Sequence, residues 1–359
     1  MKNICTYLLI MSLLVFNSCS YKLVPSSKNQ GFKVNTHFQL ETLKSLKVSI
    51  EKIVNAGGNL RRKRSVLERI NELSLSKFTS IENIDWLSFQ KNILIEIKGK
   101  SDKIVYVVSH YDKTDNNPLS LPNNLLNGVL DPLISWSYTS HGAIDNATGV
   151  ALSLQLAKKI SEENLNHTYR ILLVGSEESG LRGSRAHMAR ITEKVNDNIF
   201  YVINTDIIGV KGKTNCVTSN ISSKKLVDIS LNIAEELNIE LDKGILPSMS
   251  SSDYAPFQKT SFLIDFKRSL QFNLIGAFLP QRSYFTKKKE NQVINFSSCD
   301  LLGVKDYVGS ILLMPIGTIH GFRDHIKLVD EKKLYEQYIL TYELIKTMDQ
   351  KKDFTSLQF

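Results

Sequence analysis

Two histidines and several carboxylates stand where apolar runs end. Residues 103–109 are strongly apolar and lead into His110-Tyr111-Asp112. Residues 169–175 lead into Ser176-Glu177-Glu178-Ser179-Gly180, and residues 199–204 into Thr205-Asp206. Asp145-Asn146 opens a helical pattern, and His320-Gly321-Phe322-Arg323-Asp324 lies far downstream. Imidazole and carboxylate donors together suit borderline divalent cations, zinc foremost. A His two residues before an Asp shares a face with it in an extended segment. Asp112 is therefore placed to hold the ring nitrogen of His110 that is not on a metal. Adjacent Glu177 and Glu178 must diverge, so one can bind metal while the other acts as general base. A carboxylate between two cations about 3.5–4 Å apart can bridge them, an arrangement that activates water and clamps a tetrahedral intermediate. Taken singly, each has a plain structural reading as well: a solvated Glu pair, a helix N-cap at Asp145-Asn146, a turn residue at Asp206.

The elements that must hold these groups follow from periodicity. Leu43, Leu46, Ile50 and Ile53 recur at steps of three and four, which predicts a helix ended by Gly57-Gly58. A second helix is predicted over 61–75, with the basic run Arg61-Arg62-Lys63-Arg64 as a solvated face. The period then changes: strands are expected over 92–97, 103–109, 169–175, 199–204 and 261–266. Helices are expected over 146–160, 184–191, 223–237 and 331–348. Strands alternating with helices argue an α/β sandwich with a largely parallel sheet. Ligands in such sheets bind beyond the carboxyl ends of the strands, which is where the His and acid motifs fall.

The ordered set His-x-Asp, Asp-Asn-x-x-Gly-Val, Glu-Glu-x-Gly-Leu-x-Gly-Ser, Asn-x-Asp and a late His resembles the di-zinc aminopeptidases. That zinc exopeptidase family (clan MH) includes bacterial leucyl aminopeptidase, aminopeptidase Y, glutamate carboxypeptidase and the glutaminyl cyclases. The resemblance covers residues 89–348. It implies a three-layer α/β sandwich with a mixed, mostly parallel central sheet, and two zinc ions per chain. It further implies His110 and Asp206 as ligands of one zinc and Glu178 and His320 as ligands of the second. Asp145 would bridge the two, often before a cis peptide in this family. Glu177 would be the general base and Asp112 the orienting catalytic group. Asp324 falls where the family has an Asp, and Ser252-Asp253 before Pro256-Phe257 resembles a motif near the substrate cleft. Two long segments, near 113–141 and 267–315, depart from the family and read as insertions able to reshape a specificity pocket. Gly321-Phe322-Arg323 also replaces the commoner Thr-Pro after the late His.

The implied activity is metal-dependent exopeptidase, foremost an aminopeptidase acting on peptide N-termini. Glutaminyl cyclase-like N-terminal cyclisation and carboxypeptidase activity are the alternatives on the same scaffold. A receptor-like module would be expected to have lost ligands or the base, and none is missing.

Composition sets the remaining bounds. The chain has 359 residues, net charge +9 and 42 % hydrophobic residues, a globular composition that excludes collagen, coiled-coil rods and wholesale disorder. The basic residues are dispersed and no recognition motif is visible, so no nucleic-acid partner is expected. Lys2 followed by a short apolar run to Phe16 reads as a secretory signal. Cys19 after Ser18 resembles a lipobox, which implies a signal over 1–18, a lipidated Cys19 and a tether over 19–33. A single catalytic domain over 34–350 would follow, held at the bacterial cell envelope by the lipid anchor and facing the periplasm. Of four cysteines, Cys216 and Cys299 fall in the body, where they could pair or remain buried thiols. His37, His141, His167 and His187 read as ordinary histidines, although His141 is near enough to Asp145 to touch substrate.

Overall fold

The computed structural model describes residues 36–85, 88–114, 140–246, 251–258, 290–299 and 317–351. The signal, the tether, the strand expected over 261–266 and most of both long segments lie outside the described residues.

Seven helices and eight strands are described. The chain opens with α1 (Thr36–Asn55) and α2 (Asn59–Glu72), then β1 (Thr79–Asn83), β2 (Lys91–Ile97) and β3 (Ile104–His110). Next come α3 (Thr148–Ser161), β4 (Thr168–Val174), α4 (Arg182–Arg190), α5 (Glu193–Asp197) and β5 (Ile199–Thr205). It continues with β6 (Asn215–Thr218), α6 (Lys224–Leu237), β7 (Leu241–Gly244), β8 (Val293–Ser298) and α7 (Glu331–Asp349). The strands form one sheet in the order β1-β2-β4-β3-β5-β8-β6-β7. The four central strands, β4, β3, β5 and β8, run parallel, while β1, β2 and β6 introduce antiparallel pairings. The sheet is thus mixed with a parallel centre, as expected.

Period-two alternation builds the three layers. Val105 and Val107 of β3 face one core with Ile171 and Leu173 of β4, packed under α1, α2, α3, α6 and α7. Tyr106 and Val108 face the opposite core with Leu172, Val174, Met188 of α4 and Phe257. Near-continuous burial along β3, β4 and β5 is what a parallel strand covered on both faces requires.

Register is what assembles the site. His110 pairs with Val174, so the turn after β4 begins beside it. Val108 pairs with Asn204, which brings His110 level with Asp206 two residues further on. The Asp206 N–H donates to Phe296 O at 3.1 Å, extending the β5–β8 pairing to the site.

The sequence reading missed β1, β6, β7 and β8. The residues of β1 are mostly exposed and show no buried alternation. β8 lies within the segment 267–315 read as an insertion, yet it is an interior strand of the sheet. Its buried Asn295 disguises it: the side chain accepts from Asn204 at 2.7 Å and donates to Thr218 at 2.9 Å, a polar ladder inside the sheet. The end of β8 is joined to β6 by a Cys216–Cys299 disulfide with a Cα separation of 5.3 Å. A bridge between residues 83 apart contributes about 4 kcal/mol by restricting the unfolded chain. The helix expected over 146–160 starts at Thr148; residues 143–147 form a wider turn in which Asp145 and Asn146 leave helical geometry.

Candidate metal centre

Each site residue is held by its own element. His110 ends β3 and is buried, and Nδ1–H donates to the backbone oxygen of Asp112 at 3.1 Å. That bond leaves Nε2 free to face Asp145 Oδ1 at 3.1 Å and Asp206 Oδ1 at 3.3 Å. His320, at positive φ, aims Nε2 at Asp145 Oδ2 at 3.0 Å and Glu178 Oε1 at 3.2 Å. Asp145 therefore offers one oxygen to each histidine, and the Asp145–Asn146 peptide is cis. Asn146 turns its side chain to the scaffold, donating to Thr205 O at 2.9 Å and accepting from Gly149 N–H at 3.0 Å. Glu177 and Glu178 sit in a tight turn that starts with Ser176 and ends with Leu181, both at positive φ.

The sequence expectation for Asp112 needs correcting. Its carboxylate oxygen is 3.7 Å from His110 Nδ1, beyond hydrogen-bond reach, and its backbone oxygen does the orienting. The carboxylate instead accepts from the N–H groups of Glu177 at 3.1 Å and Glu178 at 3.2 Å. A carboxylate facing two successive N–H groups fixes the turn that presents both glutamates. His141 is exposed; its backbone N–H donates to Asp324 O and its carbonyl accepts from Arg62.

Arg62 is the second correction. The sequence places it on a solvated basic face, yet it is fully buried. The signal for this lies outside its own helix, in backbone carbonyls that the sequence cannot place. His187 is likewise buried, between Glu82 at 2.9 Å and the Tyr106 hydroxyl at 3.0 Å, and stays apart from the centre.

Electrostatics set the centre apart. Burial pushes Glu178 up to about 7, helped by Asp145 and opposed by His320. Burial, with Glu178, Asp253 and Asp206, raises Glu177 well above the usual carboxylate range against the pull of His110. Burial also pushes Asp253, which the sequence placed near the cleft, up to about 7. Burial would lower both histidines, but the surrounding carboxylates win and raise them. Asp145 is held low: its hydrogen bonds to His110 and His320 outweigh burial.

This is an acid-rich pocket short of cations, and its donors fit a metal. His110, Asp145 and Asp206 form one group whose ligand atoms lie within 4.8 Å of one another, and Asp145, Glu178 and His320 form a second. His110, Glu177 and Glu178 satisfy the same spacing. Glu178 Oε1 is buried and makes no hydrogen bond of good geometry, with His320 Nε2 facing it at 3.2 Å, a placement that suits a metal ligand. Of the residues expected from the sequence, all seven meet here.

Comparison with known proteins gives the family. The model of peptidase family M28 matches residues 92–273, half of the chain. The chain belongs to peptidase family M28. Among curated relatives, aminopeptidase YwaD of Bacillus subtilis is 26 % identical over 193 residues, covering 52 % of this chain and 36 % of that protein. A probable zinc metalloprotease of Pyricularia oryzae is 35 % identical over 120 residues, covering 33 % of this chain and 21 % of its own length. The chain thus spans about a third or less of these curated relatives. Among solved structures, an Acidobacteriales bacterium glutaminyl cyclase aligns with TM-score 0.60 at 15 % identity, over 92 % of this chain and 99 % of that one. A leucine aminopeptidase precursor from Bacteroides thetaiotaomicron gives TM-score 0.57 at 13 % identity, over 91 % and 100 %. At these identities the structural matches establish a shared fold.

Proposed function

We propose that this M28 chain is a zinc-dependent exopeptidase, an aminopeptidase removing N-terminal residues from peptides. The observation that carries this reading is Asp145, whose two oxygens each face a different histidine with Glu177 alongside. His110, Asp145 and Asp206 would hold one zinc, and Asp145, Glu178 and His320 a second. When bound, zinc supplies a Lewis acid for the scissile carbonyl and eases deprotonation of water. Glu177 takes a proton from the attacking water on its carboxylate and returns it to the leaving amine. Asp112 keeps Glu177 and Glu178 in their divergent directions through the two backbone N–H groups.

Glu177→Gln tests the assignment. The variant should keep its zinc while peptide hydrolysis falls by about 10²–10⁴-fold; unchanged turnover overturns it. Free and N-blocked peptides, assayed with and without chelator, separate aminopeptidase from carboxypeptidase. Cyclisation of N-terminal glutamine is a second reading, supported by the end-to-end match of this fold to a glutaminyl cyclase. One zinc per chain together with cyclisation of a glutaminyl peptide would establish it in place of hydrolysis.

We also propose an exported lipoprotein anchored through Cys19. The Cys216–Cys299 bridge supports an oxidising compartment. Fractionation of the full chain and its Cys19→Ser variant tests it: the parent should enter the membrane fraction and the variant leave it.

A further inference from the structure

Helix α2 reaches the metal centre through its first turn, and nothing in the proposed chemistry uses it. Arg62 Nε donates to Tyr111 O at 2.5 Å, Nη1 to His141 O at 3.0 Å and Nη2 to Gly142 O at 3.0 Å. Tyr111 lies between His110 and Asp112, and Gly142 three residues before Asp145. One turn earlier, Asn59 accepts from Lys113 N–H at 3.0 Å and donates to Lys113 O at 3.2 Å. The same two segments meet again where Lys113 Nζ donates to Ser140 O at 2.8 Å across 27 residues of sequence. The second segment is tied onward to Asp324, which accepts from Ser140 Oγ at 3.0 Å and from Ile144 N–H at 2.7 Å.

Gly142 is shaped to this contact. Its φ is +61°, and a side-chain carbon there would lie 2.8 Å from Arg62 Nη1. A buried guanidinium spread over three carbonyls is a costly way to fill space, because its charge is desolvated without a bound carboxylate. It is an effective way to fix the end of β3 against the segment that leads into Asp145 and α3, because the planar fork admits one geometry.

We propose that Arg62, supported by Asn59, is a positioning residue that holds the His110 and Asp145 segments at the separation metal binding requires. This rests on the zinc reading above. A lysine at 62 keeps the charge but offers one point of contact where the fork offers three. Arg69, two turns further along α2, is the control. It is also buried, and it donates to Ser49 Oγ at 2.9 Å, Ser45 Oγ at 2.7 Å and Glu72 at 3.0 Å, all away from the centre.

The test compares the parent with Arg62→Lys and Arg69→Lys, as full chains. Zinc affinity is read by chelator competition, folding by circular dichroism of the metal-free protein, and kcat and KM separately. Arg62→Lys should weaken zinc about tenfold or more and lower kcat with KM nearly unchanged, the size seen when groups behind metal ligands are altered. Arg69→Lys should lower the melting temperature with zinc affinity intact. Zinc affinity in folded Arg62→Lys within about twofold of the parent overturns the proposal. So does equal weakening in Arg69→Lys, which would mark a general loss of stability. If Arg62→Lys does not fold, Asn59→Ala carries the same comparison, with weaker zinc binding supporting the clamp and unchanged binding refuting it. A parent that binds no zinc would instead overturn the zinc reading.

Discussion

Strand β4 has buried carboxylates packed at both of its ends, and the two ends treat them in opposite ways. At its start, Asp349 of α7 accepts from Asn166 N–H at 2.8 and 3.0 Å, His167 N–H at 2.9 Å and the Tyr169 hydroxyl at 3.0 Å. Neutral donors converge on it, and it caps the entry to the strand. Beyond the other end, Glu178 Oε1 makes no hydrogen bond of good geometry and faces His320 Nε2 at 3.2 Å, in a pocket shared with Asp145, Glu177, Asp206 and Asp253. One end spends its acid on backbone order, and the other leaves acceptors in surplus. Surplus buried acceptors are stable only opposite a cation, so the difference separates a structural carboxylate from a candidate ligand.

The largest way to break this contrast is at Asp145. Asp145→Asn removes the oxygen charge shared by both histidines. Hydrolysis should fall on the order of 10³-fold, about 4 kcal/mol of barrier. Zinc at 100 times its dissociation constant should stabilise the parent by about 2.7 kcal/mol. The same addition should leave the variant's melting temperature where it was. A zinc-dependent rise in Asp145→Asn equal to the parent's would show that Asp145 is not shared between sites.

The opposite end predicts the opposite signature. Asp349→Ala strands two backbone N–H groups and a tyrosine hydroxyl in the interior. Stability to urea should fall by about 3–5 kcal/mol, while zinc affinity and kcat per folded molecule stay at parental values. A variant that kept its stability but lost zinc would invert the comparison.

Much of the candidate centre was legible in the sequence, because His110, the Glu177-Glu178 pair and Asp206 each follow an apolar run that reads as a buried strand. His110, Glu177-Glu178 and Asp206 needed no more than strand ends and the parallel order. His320 was harder: it lies in a loop at positive φ, and only its place in the ordered motif pointed to it. The division of labour within the site was not legible. Whether Asp112 meets His110 through its carboxylate or its backbone depends on a fraction of an ångström. Arg62 was misread because helical periodicity reports which face is apolar, and says nothing of a polar residue entering a cage of carbonyls. β8 was missed for a related reason, since Asn295 is satisfied only by partners on strands far away in sequence.

Asp324 is the intermediate case and gives the finest test. Like Asp349 it is buried and accepts from a backbone N–H and a hydroxyl; like Glu178 it sits near Asp145. Burial, reinforced by Asp145, pushes it up to about 6 from an ordinary value of 3.8, although its two donors and Arg62 oppose the shift. A carboxyl whose pKa is raised by folding favours the folded state fully below its unfolded value. That favour is lost as pH rises through the folded value, here between about 4 and 6. Asp324→Asn keeps an oxygen for Ile144 N–H and can donate to Ser140 Oγ, but it does not titrate. In metal-free protein, the parent should therefore lose about 2 kcal/mol of stability relative to Asp324→Asn between pH 4 and pH 7. Urea unfolding at the two pH values measures the gap. With zinc bound the gap should narrow, because the charge on Asp145 is then offset. A gap independent of pH would mean that two good donors suffice to settle a buried acid even beside Asp145, and hydrogen bonding alone would then divide the two ends of the strand.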